Sequence, residues 1–207
     1  MSAIAAGGRA SPRPITRASA EVALVCIGLG AVVVVRAAAT RAGLDPAITG
    51  AGFGLALLGL VVVGGERARI AAPRWTHVLA GTGTGLMLVA IVVAGASLGG
   101  STLVTGLARP ASPFVPWALV TILVAGAEEA LLRGLLFDGV RRAGGTVVAL
   151  LVTSAVFALV HVPLYGWHVV PLDLAVGLVL GGLRVATRGI AAPAVAHAAA
   201  DLATWWL

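Results

Sequence analysis

The chain has 207 residues, 59% of them hydrophobic and 11% charged, with a formal net charge of +6 and a mean hydropathy of +1.05. So little polar surface excludes most soluble enzyme folds and disordered or fibrous chains, and the single cysteine, Cys26, excludes an intrachain disulfide scaffold. The basic residues are all arginines, scattered in short clusters between apolar runs, a placement that suits membrane topology rather than a phosphate-tracking face, so nucleic acid is not an expected partner.

A helix needs about 20 residues to cross the hydrocarbon of a bilayer. Seven apolar runs approach that length, at residues 20–35, 48–63, 76–98, 113–137, 146–162, 168–183 and 190–207. They lack the period-2 alternation of a membrane barrel, so the expected fold is all-α, a polytopic transmembrane helical bundle of about seven spans. Residues 1–19 read as a disordered cytoplasmic tail, 20–112 as N-terminal transmembrane helices, and 113–207 as a four-helix core of the C-terminal half. The first run resembles a secretory signal, with Ala37, Ala38 and Ala39 after its apolar stretch, but further spans follow directly and favour a first membrane helix.

Alternation from a cytoplasmic N-terminus places Arg9, Arg13, Arg17, Arg67, Arg69, Arg74, Arg141, Arg142, Arg184 and Arg188 inside. Only Arg36, Arg41 and Arg109 fall outside, a split that satisfies the positive-inside rule for a multi-pass protein of the cell membrane. The C-terminus is then external, with Trp205 and Trp206 anchored at the outer interface. Gly50 and Gly54, Gly81 and Gly85, and Gly177 and Gly181 have the four-residue spacing of close helix packing.

Seven ionisable residues of the C-terminal runs do not belong in lipid: Glu128, Glu129, Arg133, His161, Asp173, His197 and Asp201. A full charge at the centre of a span costs about 2.5–3.5 kcal/mol on insertion scales, so these groups must face the bundle interior, pair, or line a wet cavity. Glu129 and Arg133 are four apart and share a helix face as an ion pair, which leaves Glu128 to face elsewhere. Phe157 shares a face with His161, and His197 with Asp201. A carboxylate in a dry setting can take a proton from water, a neighbouring histidine can orient that water, and a second histidine beside an acid can hold an oxyanion. The same four side chains, Glu128, His161, His197 and Asp201, also have the chemistry to bind a divalent metal such as zinc, although no helix carries the paired histidines of a zinc-protease helix. Asp173, just past Pro171, reads as a helix cap or a snorkelling acid in preference to a further acid of the site.

The segments Glu128-Glu129-Ala-Leu-Leu-Arg133, Phe157-Ala-Leu-Val-His161 and His197-Ala-Ala-Ala-Asp201 resemble, in order, the three-motif signature of the CAAX protease and bacteriocin-processing family of intramembrane endopeptidases, also called CPBP or Abi. The resemblance covers residues 113–207 and implies that Glu128 and His161 activate a water, that Glu129 and Arg133 support the site with Phe157 lining it, and that His197 and Asp201 stabilise the oxyanion. Asp201 stands where the family often has Asn. An ionised Asp cannot donate to an oxyanion, so it must be protonated, orient His197, or bind a metal. The implied substrate is a membrane-associated protein or peptide reached from the bilayer, and no cofactor is required in the glutamate version of the mechanism. Two other readings use the same residues: a transporter or proton relay built on the buried acids, and a non-catalytic immunity or scaffold protein. Depth poses a problem for all three, since straight helices put Glu128 and His161 roughly 20–25 Å from the inner loops but His197 only about 14 Å from Arg188.

Overall fold

The computed structural model describes residues 17–64, 74–99 and 113–207. Most of the expected tail, and Arg9, Arg13, Arg67, Arg69 and Arg109 of the topology argument, lie outside the described residues. Regular structure among the described residues is helical throughout: α1 (Arg17–Arg41), α2 (Pro46–Val63), α3 (Trp75–Gly99), α4 (Phe114–Glu129), a π-helical segment (Ala130–Leu136), α5 (Phe137–Tyr165), α6 (Val170–Thr187) and α7 (Ala191–Ala203). Single 3₁₀ turns, Trp167–Val169 and Thr204–Trp206, precede α6 and follow α7. Local signals set several boundaries. Asp45 caps α2 by accepting from the Ala47 and Ile48 amides at 2.8 and 3.1 Å, with Pro46 in the first turn. Gly145 (φ 83°) breaks α5, a conformation glycine adopts without strain, and Arg188 (φ 55°) ends α6 in the left-handed region.

Five helical stretches are long and apolar enough to cross a membrane: Val22–Arg41, Pro46–Val63, Trp75–Gly95, Phe114–Tyr165 and Trp167–Thr187. The difference from the expected seven has two sources. Runs 113–137 and 146–162 join into one stretch of 52 residues, about 78 Å of helix, divided only by the turn at Gly145. Run 190–207 yields α7, whose 13 residues rise about 20 Å against a hydrocarbon core of about 30 Å.

Glycine contacts give the helix directions. Positions 50, 54 and 64 of α2 meet Val120, Leu123 and Leu135 in the same order, so α2 runs parallel to α4 and its π-helical continuation. Gly81 and Gly85 of α3 approach α7 so closely that a Cβ at Gly85 would lie 2.7 Å from the Ala196 carbonyl. Gly177 and Gly181 of α6 meet Ser154 and Leu150 of α5 in reverse order, and Val22 and Arg41 at the two ends of α1 meet Gly139 and Pro163 of α5. Helices α1, α3, α7 and the part of α5 after Gly145 run one way, and α2, α4 and α6 the other. Outward side chains such as Ile27, Val63 and Leu119 are exposed, as suits a bilayer, while Leu57, Leu131, Leu132, Leu136 and Leu180 fill the centre. At the far end Phe114, Trp117, Trp205 and Trp206 cluster, with Trp205 ring centroids 5.2 Å from Phe114 and 5.0 Å from Trp117.

Direct contacts answer the depth problem. The Phe157 ring lies 4.9 Å from that of His161 and 5.3 Å from that of His197, and His197 Nδ1 lies 3.0 Å from Glu129, so α4, α5 and α7 bring these residues together. Arg184, near the end of α6, donates to Asp138 at 3.2 Å and ties α6 to the start of α5.

Candidate active site

The site is built where α4 changes its winding. Helix α4 passes without a cap into the π-helical segment, whose wider turns carry Arg133 at their middle. Such insertions are costly and concentrate at functional sites. Here the Arg133 carbonyl accepts from Arg184 Nε at 2.8 Å, so α6 braces the irregular turn from the side. Arg184 is thus a half-buried packing residue as well as one of the arginines expected at the inner surface.

Glu129 and Arg133 are both fully buried and form the expected ion pair, Nη1 to Oε1 at 2.9 Å. Arg133 also donates Nη2 to the Gly177 carbonyl at 3.1 Å, and its guanidinium lies 4.7 Å over the Phe157 ring. This ties α4, α5 and α6 together through one side chain. Glu129 does more than neutralise Arg133, because its Oε1 also accepts from His197 Nδ1–H at 3.0 Å across to α7. The other ring nitrogen, His197 Nε2, faces Glu128 Oε2 at 3.8 Å and Asp201 Oδ2 at 3.5 Å. Glu128 and His197 are buried, whereas the Asp201 side chain keeps 45% of its surface open. Glu128, Glu129, Arg133, His197 and Asp201 thus meet in one cluster, with Phe157 as its wall.

His161 stands at the edge of this cluster. Its ring centroid is 4.9 Å from that of Phe157, and the same phenyl ring meets His197 at 5.3 Å. Its Nδ1 is 2.8 Å from the Phe157 carbonyl and 3.5 Å from Asp173 Oδ2, and Tyr165 stacks beside it at 6.0 Å. The histidine that faces Glu128 is therefore His197, and the acid that faces His161 is Asp173. Asp173 and Asp201 both fall within electrostatic range of Glu128, His161 and His197, so the acids and histidines share one basin.

Asp173 corrects the sequence reading. It occupies the first turn of α6, as a capping acid would, but its carboxylate points at His161. Its intramembrane position was the signal available, and proximity to Pro171 argued it away. Asp138 and Tyr165 carried no comparable signal, since their partners lie on other helices or one turn along.

Among the described residues no three His, Cys, Asp or Glu side chains form a group that would hold a metal ion. Nδ1 of each histidine is engaged, by Glu129 or by a backbone carbonyl, which leaves Nε2 as the nitrogen that faces other partners.

Residues 110–203 match the family model described as type II CAAX prenyl endopeptidase Rce1-like. The C-terminal half of the chain belongs to the CAAX protease and bacteriocin-processing family. No curated protein and no solved structure matches the chain. All three motifs lie inside the segment matched to the CAAX protease family, and protease activity in general comes with it. Its apolar helices fit a multi-pass membrane protein.

Proposed function

We propose that the protein is an intramembrane endopeptidase that hydrolyses a peptide bond of a membrane-associated protein or peptide with water activated by Glu128, without a metal. The observation that carries this reading is Glu128 itself, a carboxylate 5% exposed, set 3.8 Å from the Nε2 of an imidazole whose other nitrogen is fixed by a second buried carboxylate. Glu128 takes a proton from the water, assisted by His161, and the hydroxide adds to the scissile carbonyl carbon. The resulting oxyanion is met by His197, which donates from Nε2 while Nδ1–H remains bonded to Glu129. Asp201, at 3.5 Å from the same nitrogen, orients the ring and does not itself donate. Collapse of the tetrahedral intermediate breaks the C–N bond, and Glu128 returns its proton to the leaving amine. Glu129 and Arg133 hold the geometry.

In this reading residues 113–207 are the catalytic core, residues 20–112 pack around it, the N-terminus is cytoplasmic and the C-terminus external. The test is Glu128→Gln. Membranes holding the wild-type chain should contain peptide termini that are missing from membranes holding the variant, while both chains insert and resist heat equally. Equal sets of termini would overturn the assignment. Activity lost to a chelator and regained with zinc would overturn the metal-free part alone.

A further inference from the structure

The imidazole of His161 is held at one edge by two groups from two helices. Nδ1 lies 2.8 Å from the Phe157 carbonyl of its own helix and 3.5 Å from Asp173 Oδ2 of α6. A backbone carbonyl has no proton to give, so the hydrogen of this bond sits on Nδ1 whatever the state of Asp173. In a neutral ring Nε2 is then the free base. The carbonyl alone holds the ring weakly, because a helical carbonyl one turn back is already engaged by the backbone N–H four residues on. Asp173 supplies the second acceptor, from a neighbouring helix, and with it the resistance to a ring flip that would exchange nitrogen for carbon at that edge.

We infer that Asp173 is a positioning residue for His161, fixing its Nδ1–H tautomer and presenting a proton-free Nε2 to the basin that holds Glu128. No motif of the sequence contains Asp173. Of the other groups near His161, Tyr165 stacks beside it on its own helix and Asp201 of α7 lies within electrostatic range of it. The ring is also part open, 17% exposed against 6% for His197, so it is the histidine that an incoming molecule meets first. The catalytic use of that Nε2 rests on the proposed hydrolysis; its tautomer does not.

The experiment is nitrogen NMR of the full chain in lipid nanodiscs with ¹⁵N-labelled histidine. There are four histidines, His77, His161, His168 and His197, each assigned by a single His→Gln change. At neutral pH His161 should show a proton on Nδ1 and a lone pair on Nε2. In Asp173→Ala it should become a mixture of tautomers. In Asp173→Asn, which keeps an acceptor oxygen, the tautomer should persist with a shifted Nδ1 signal. The His197 signals should stay in place in both variants. An Nε2–H tautomer in the wild type, or an Nδ1 signal unmoved in Asp173→Asn, would overturn the inference, and neither outcome requires the Ala variant to fold. The yield of Glu128-dependent termini should fall at least about tenfold in Asp173→Ala and recover in part in Asp173→Asn. Absence of any Glu128-dependent termini would defeat the endopeptidase reading while leaving the NMR result to decide the role of Asp173.

Discussion

The two histidines differ most in what holds Nδ1. His197 is wedged between α7 and α4, and its Nδ1–H goes to the buried carboxylate of Glu129, with two more carboxylates facing Nε2. His161 is part open, and its Nδ1–H goes back to a carbonyl of its own helix, with one acid alongside. Surrounded by three acids, the first ring is suited to donate from both nitrogens; the second keeps one nitrogen free to accept. Identical side chains, each about 5 Å from one phenylalanine ring, are thereby prepared for opposite work, by their second partners rather than by their own position.

Four substitutions would break or sharpen this contrast. The largest effect is expected from Arg133→Met, which strands the Glu129 carboxylate in the core and should cost about 3–5 kcal/mol, read as the loss of thermal stability in detergent. His197→Ala follows. It takes a donor from Glu129 and should cost about 1–3 kcal/mol in the same measurement. Next comes His161→Ala, expected to cost under about 1 kcal/mol, because the carbonyl it leaves keeps its helical N–H. A stability loss for His161→Ala as large as for His197→Ala would erase the distinction. Asp201→Asn should be smallest of all: an amide oxygen can still orient His197, so cleavage, followed by the appearance of Glu128-dependent termini, should persist within about threefold. A collapse of activity there would show that the carboxylate charge itself is needed.

Much of this was legible in the sequence because it is local. The apolar runs become helices, the glycine pairs become close contacts with α4, α5 and α7, and Glu129 with Arg133 meets at one turn, since all three features depend on spacing along a single helix. What escaped depends on how helices are set against each other. Nothing in Ala-Leu-Leu-Arg-Gly-Leu-Leu announces a π-helical winding, as these residues suit an ordinary helix equally well. The pairing of His161 with Asp173 and the brace from Arg184 to Asp138 each join two helices, and no periodicity reports such a contact. The depth of the site followed the same rule: counting along single helices leaves its residues at different levels, and the contacts that join Glu129, Phe157, His161 and His197 run between helices or depend on their packing.

The shortness of α7 bears on supply as well as on counting. Hydrolysis consumes one water for each bond, and hydrocarbon holds almost none. Asp201 lies only four residues, about 6 Å, before Trp205, whose aromatic cluster is of the kind that suits the polar boundary of a bilayer. A short helix of a bundle is accommodated by local thinning of the bilayer. In the proposed hydrolysis, the open flank of Asp201 is the side from which water would reach the site without crossing the membrane core.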